Sequence, residues 1–313
     1  MTGPHIFTAE NPLRIGTRRS PLALAQAHMA AAALKSAHGL HDDAIRLVPM
    51  LSSGDKNQTQ PLADIGGKAL WTKELERALL DGDIDIAVHS MKDVETVRAD
   101  VFCVAAMLPR ADVRDRLIGA SSIAALPHGA VVGTSSPRRA AQLLAMRPDL
   151  KVAAIRGNVA TRLAQIENGV FDATLLAAAG LDRLEQHDVG MAIEISDMLP
   201  AASQGAIGLE TSGHRLEMLR ILDVVNHNPT YDCVMAERDF LAALGGGCHS
   251  PVAALAVFDG DEIWLRGEIL SADGRERQSG DIRFSADHAN APADLASALL
   301  ARSSAALQRL FAA

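Results

Sequence analysis

LRIGTRRSPLALAQAHMAAAALKSA, residues 13–37, joins a short apolar run, an arginine-rich turn and a long alanine-rich segment. That order reads as a strand feeding a helix, with Ser20 as N-cap and Pro21 at the first helical position, where a missing N–H costs nothing. AVVGTSSPRRAAQLLAM, residues 130–146, repeats the grammar: Gly133-Thr134 answers Gly16-Thr17, and Ser136-Pro137 answers Ser20-Pro21. A second echo follows each unit. ELERALLDGDIDIAVHS (74–90) and TRLAQIENGVFDATLLA (161–177) both run helix, glycine, strand, with Gly82 and Asp85 matched by Gly169 and Asp172. The chain therefore reads as two related α/β halves. Ligands bind such sheets at the carboxyl ends of the strands, so the halves are expected to face each other across a cleft.

The connecting segments set the expected domains. Pro109 and a run of mixed charge mark a crossing near residues 108–112, and AIGLE with HRLEMLRILDVVN is expected to return to the first half. The first domain is thus read as discontinuous, 1–108 with 205–226, the second as 112–200, and a third as 228–313. In the third, NPTYDCVMAERDFLAAL reads as a helix with Asn228 as N-cap and Gly245 as its left-handed stop. Alternating apolar and polar residues around FDGDE and SADGRE then read as three antiparallel strands, followed by a helical tail.

A net charge of -8 argues against a general nucleic-acid binder. The charge is uneven, however: Arg138, Arg139, Arg147, Lys151, Arg156 and Arg162 stand against the single acid Asp149 between residues 131 and 166. Arg138 and Arg139 in this segment, like Arg18 and Arg19 in the first, stand at a helix N-terminus, where free N–H groups already attract anions and guanidinium forks add to them. The alternative is a solvated basic helix face. The N-terminal residues lack a secretory pattern and no apolar run reaches membrane-spanning length, so the expectation is a cytoplasmic protein.

Cys103, Cys233 and Cys248 are far apart and lack CxxC spacing, which points to neither disulfides nor a metal site. Cys103 and Cys233 sit in apolar contexts and read as small hydrophobes. Cys248 follows three glycines in LGGGCHSP (244–251), a loop that presents a thiol instead of packing it. His249 beside it could activate the thiol, although neighbours in sequence usually point apart. AVHSMKDVET (87–96) ends a strand at the expected cleft with Lys92 and Asp93 adjacent, a place for a carboxylate to stabilise a cation or pass a proton. ADIGGKALWTKELERAL adds a Gly-rich loop and Lys68 without the spacing of a Walker phosphate loop. On these residues alone, a two-lobed small-anion binding protein and a thiol acyltransferase remain alternatives.

GTRRSPLALAQ, GGKALWTKELE, DIAVHSMKDV, GTSSPRRAAQL, RGNVATRL, LAAAGLDRL, QGAIGLE and GGGCHSP, in this order over nearly the whole chain, closely resemble the hydroxymethylbilane synthase (porphobilinogen deaminase) family. The resemblance implies two lobes like periplasmic binding proteins around a cleft and a small C-terminal α+β domain. It implies a cytoplasmic monomer, a transferase of tetrapyrrole biosynthesis that joins four porphobilinogen molecules head to tail with loss of ammonia and needs no metal. Its cofactor, dipyrromethane, would be held by a thioether to Cys248, which makes His249 dispensable as a base. Asp93 matches the carboxylate that assists ammonia loss and stabilises the cationic azafulvene. Lys92, Thr134, Ser135, Ser136, Arg138, Arg139, Arg162 and Arg183 match cofactor-binding positions. Arg18, Ser20 and Arg156 match substrate-binding ones, with Lys68 in a mobile-loop motif and Gln204 in a hinge-side motif. The chain departs from the family pattern at Glu95 and Val113, where proline is common, at Trp71 for phenylalanine and at Ser203 for glycine.

Overall fold

A computed structural model of the chain describes residues 7–51, 69–245, 250–285 and 288–311. In chain order the elements are β1 (Leu13–Arg18), α1 (Pro21–His38), β2 (Ile45–Met50), α2 (Ala69–Leu80), β3 (Ile86–Ser90) and β4 (Phe102–Met107). Then come β5 (Asp115–Ile118), β6 (Val131–Gly133), α3 (Pro137–Met146), β7 (Lys151–Ala153), α4 (Val159–Glu167), β8 (Ala173–Ala177), α5 (Ala178–Asp182) and β9 (Met191–Ala192). The remainder is β10 (Ile207–Ser212), α6 (Leu216–Asp223), α7 (Asn228–Ala243), β11 (Val252–Asp259), β12 (Glu262–Leu270), β13 (Arg277–Phe284), α8 (Ala291–Ala301) and α9 (Ala305–Gln308). Two compact units result, Met1–Arg110 with Ala206–Tyr231 and Ala111–Gly205 with Asp232–Ala313.

The internal repeat is visible in the hydrogen bonds. One five-stranded sheet runs β2-β1-β3-β10-β4 and another β7-β6-β8-β5-β9. In each, the first three strands pair in parallel and the last two join antiparallel. The helix–glycine–strand echo has one physical cause in both lobes. Gly82 and Gly169 take left-handed φ values of 73° and 68° to end a helix. Three residues later, Asp85 Oδ2 accepts from Arg14 N at 2.9 Å, and Asp172 Oδ2 accepts from Val131 N at 2.6 Å. Each aspartate ties the start of one strand to the start of its parallel neighbour.

Both proline-led helices are capped as expected, Ser20 Oγ accepting from Ala23 N at 3.3 Å and Ser136 Oγ from Arg139 N at 3.4 Å. In the first unit, α1 and α6 cover the sheet through Ala27, Leu34, Met218 and Leu222 against Leu13, Ile15 and Leu209. In the second, Leu143 of α3 packs with Val132 and Leu175.

The C-terminal part carries the three-stranded antiparallel sheet β11-β12-β13. Phe240 of α7 and Leu295 and Leu299 of α8 pack on its Leu265 and Ile269. Gly267 makes room for this: a Cβ there would meet the Phe240 ring at 2.5–3.0 Å. The other face of the sheet meets the second lobe, where Ala253 and Leu255 pack with Leu199 and Val113. Helix α7 begins at Asn228 itself, one residue earlier than an Asn228 cap requires, and His227 Nδ1 lies 3.2 Å from Thr230 N at its first turn. Gly245 stops it with φ 64°.

Candidate active site

Asp93 stands where the end of β3 places it. The chain leaves Ser90 into one tight turn, Met91–Asp93, closed by Val94 N donating to Met91 O at 3.2 Å. Met91 and Val94 are buried on either side of the half-exposed Asp93. The Met91 side chain fits because Gly208 on β10 has no Cβ; one would run into Met91 Sδ. The two anchors therefore point inward and leave the carboxylate at a concavity lined also by Arg18, Gln26, Thr72, His89 and Ser90. Gln26 Nε2 donates to Ser90 Oγ at 3.3 Å, which ties α1 to the end of β3.

Behind that concavity lies a charged network that joins residues of three separate motifs, Glu76, His89 and Glu210, through Arg98 and Glu210. Glu210 on β10 is 0% exposed, accepts from Arg98 Nε at 2.8 Å and Nη2 at 3.0 Å, and has His89 Nε2 at 3.0 Å. Burial alone would raise the Glu210 pKa; His89 and Arg98 more than offset it and hold it below the ordinary carboxylate range. Arg98 also pairs with Glu76 at 2.7 Å and with Glu95 at 3.4 Å. Glu95, where the family pattern commonly has proline, thus adds an ion pair that fastens the segment carrying Asp93. Lys92 is half-exposed beside it. Cys103, on β4, is half-buried, and burial followed by the nearby Glu210 pushes its thiol pKa up, consistent with a packing role. Cys233 is buried.

In the second unit, Arg138, Arg139 and Gln204 converge on Asp115, an acid that sequence reasoning misses. Asp115 is 1% exposed. Its Oδ1 accepts from Arg139 Nη2 at 2.6 Å and Gln204 Nε2 at 2.9 Å, and Oδ2 pairs with Arg138 Nη1 at 2.9 Å. Burial would raise its pKa, but the two guanidinium groups hold it well below the usual carboxylate range. Arg138 and Arg139 are buried and so form no solvated helix face, whereas Lys151 is exposed and Arg156 and Arg162 are half-exposed. Arg147 is spent on Asp149 at 2.7 Å.

Gln204 also donates to Val113 O at 2.7 Å, and Arg183 Nη2 donates to Gly205 O at 2.6 Å, which brings Arg183 to the same corner. Burial lowers the Arg183 pKa to about 10, with Asp182 offsetting only part of it. Nε of Arg138, of Arg139 and of Arg183 are all buried with no hydrogen-bond partner among the described residues. A buried donor left unsatisfied costs about 1–3 kcal/mol, so three together, with positive charge in excess of Asp115, fit a carboxylate-bearing group.

Thr134 is buried near the start of α3, and Ser135 Oγ donates to Ile155 O at 2.7 Å. Arg156 and Arg162 flank the Asn158 cap of α4, where Arg162 Nε donates to Gly157 O at 3.0 Å. Lys68, Cys248 and His249 lie outside the described residues. Among the described residues no histidine, cysteine and carboxylate cluster could hold a metal.

Ser203 takes φ 65°, a left-handed conformation at the position where the family pattern has glycine. Its N–H is held by Glu237 Oε2 at 2.6 Å. A side chain in that region costs roughly 1–2 kcal/mol, partly returned through the less flexible unfolded chain. Ser203→Gly is therefore expected to raise stability by about 0.5–1 kcal/mol in urea denaturation; a loss of stability would show that the hydroxyl is needed.

A family model described as "Porphobilinogen deaminase, dipyromethane cofactor binding domain" matches residues 13–220, and one described as "Porphobilinogen deaminase, C-terminal domain" matches residues 231–301. Over 313 residues the chain is 54% identical to the porphobilinogen deaminase of Sphingopyxis alaskensis, covering 98% of this chain and 99% of that one. It is 48% identical over 300 residues to the porphobilinogen deaminase of Paracoccus denitrificans, covering 95% and 96%. Among solved structures, the second substrate binding domain of a putative amino acid ABC transporter from Streptococcus pneumoniae shares 12% identity at a TM-score of 0.43, covering 74% of this chain and 97% of that one. The chain belongs to the porphobilinogen deaminase family of enzymes, and its cofactor-binding domain is the kind that takes dipyrromethane.

Proposed function

We propose that this chain acts as a hydroxymethylbilane synthase, joining four porphobilinogen molecules head to tail with release of ammonia and then releasing linear hydroxymethylbilane by hydrolysis. The observation that carries this beyond family membership is the trio of buried Nε groups on Arg138, Arg139 and Arg183 that have no partner among the described residues. Each pyrrole unit brings two carboxylates, and such groups satisfy donors of this kind with charge-assisted bonds. When bound, dipyrromethane supplies the anchor from which the product lengthens.

The chain's own residues divide the remaining work. Cys248 provides the thioether sulfur. Asp93 supplies a fixed negative charge where the substrate loses ammonia and positive charge develops. Lys92, Thr134, Ser135, Ser136, Arg138, Arg139, Arg162 and Arg183 hold the cofactor's carboxylates. Arg18, Ser20, Arg156, Lys68 and Gln204 serve the incoming substrate, Gln204 through the Asp115 cluster that it braces. At Ser20 and Ser136 the helix N-terminus adds its own N–H groups. We assign the domains as 1–108 with 205–226, 112–200 and 228–313, and the working state as a cytoplasmic monomer. Among the described residues no helix is long and apolar enough to cross a membrane.

Intact-mass spectrometry of the purified full chain tests the reading. The mass is expected to exceed that of the sequence by one dipyrromethane unit, with Cys248→Ser removing the excess and Arg183→Ala lowering the loaded fraction. An unmodified wild-type protein that leaves porphobilinogen unconsumed overturns it.

A further inference from the structure

None of the assigned residues lines a second cavity, of about 350 Å3, in the second unit. Its walls are the outward faces of β12 and β13, with Ile195, Ser196 and Leu199 of the lobe opposite. That volume lies in the range of small-molecule sites.

Its charges are arranged unusually. Arg266 on β12 and Asp281 on β13 are direct cross-strand partners. Opposite charges so placed ordinarily pair. Here each meets Trp264 instead. Its Nε1–H donates to Asp281 Oδ2 at 2.9 Å, while the Arg266 guanidinium stacks on its ring at 4.5 Å. Arg283 also stacks on that ring, at 4.6 Å, but is paired with Asp259. Arg266 consequently makes no hydrogen bond or ion pair among the described residues, and its Nε is buried and unsatisfied. The other two charges on the wall are already spent: Glu268 accepts from Arg277 Nη2 at 2.7 Å and from Gln142 Nε2 at 3.2 Å. Arg266, with only the Asp281 charge acting on it through space, and an Asp281 carboxylate with one open oxygen therefore stand side by side without a bond between them among the described residues.

A simple anion would be attracted by Arg266 and opposed by Asp281, and a simple cation the reverse. A ligand carrying both charges satisfies both groups. We propose that this cavity binds a small amino-carboxylate zwitterion, its carboxylate on Arg266 and its ammonium on Asp281, with Trp264 keeping the two side chains from neutralising each other. Ser196 and Ser279 line the same cavity and offer hydroxyls to the carboxylate.

Isothermal titration of the full-length protein with glycine, β-alanine, 4-aminobutyrate and 5-aminopentanoate tests this, with butyrate and butylamine as one-charge probes. At least one member of the series is expected to bind with a Kd of about 1–10 mM, roughly 10-fold or more tightly than either one-charge probe. Arg266→Gln and Asp281→Asn should each weaken that binding about 10-fold, as loss of one charged hydrogen bond does. Trp264→Phe keeps an aromatic ring but loses the N–H. It should weaken binding similarly by letting Asp281 close onto Arg266. Thermal melts of each variant identify any that fail to fold, and the three substitutions act independently. Butyrate binding as tightly as the best zwitterion, no binding by any member, or wild-type affinity in the folded variants would overturn the proposal. The probes contain no pyrrole, so their failure leaves the synthase reading untouched, and an unmodified Cys248 leaves this one untouched.

Discussion

Asp93→Asn is expected to lower kcat roughly 10²–10³-fold, the usual cost of removing a preorganised group that meets charge developing in a transition state, while KM changes by no more than a few-fold. Asparagine is the informative replacement because Asp93 is held by its neighbours, Met91 seated over Gly208 and Val94 buried, while its own side chain makes no hydrogen bond among the described residues. An isosteric amide therefore keeps the turn and removes the charge alone. The split between kcat and KM separates this from damage to substrate binding, because an interaction made only in the transition state moves kcat and kcat/KM together. Circular dichroism and the mass increment due to the cofactor should match those of the wild type. A D93N enzyme that is folded, cofactor-loaded and fully active would remove Asp93 from its assigned role.

The largest effect on stability is expected at Asp115→Ala. It leaves the Arg138 and Arg139 guanidinium groups buried without their counter-charge, and breaking a buried pair from one side costs about 3–5 kcal/mol. Urea denaturation should show a loss of that size, together with a smaller dipyrromethane-loaded fraction, since the same arginines would hold that group. Acid should reproduce part of the effect in the wild type. The folded-state pKa of Asp115 is depressed, so its contribution is complete above the unfolded value of about 3.9 and declines as pH falls below that toward the folded value. The D115A variant should lack that portion of the acid response. A stability loss under about 1 kcal/mol, well short of the cost of an unpaired buried charge, would mean that the arginines find other acceptors, and would point to solvent entering this corner.

Much of the architecture was legible because its causes are local. A serine before a proline starts a helix by taking one free N–H, and a glycine three residues before an aspartate ends a helix and begins a strand. These rules act within a few residues, so the same letters in both halves announced the same lobe twice, and alternation over residues 252–284 announced the antiparallel sheet. The order of the motifs was enough to place Cys248, Asp93 and the arginine turns in one family.

Tertiary structure alone decided what those residues meet. Glu210 reaches His89 across 121 residues of sequence, and Gln204 reaches Asp115 across 89. In the sequence Asp115 is one more surface-like acid in a charged run; in the fold it is the buried centre on which Arg138 and Arg139 close. Arg266, Trp264 and Asp281 are likewise ordinary residues of an alternating sheet until register sets them side by side. Capping and turn chemistry are written over a few consecutive residues, whereas burial and charge pairing depend on which distant segments pack together.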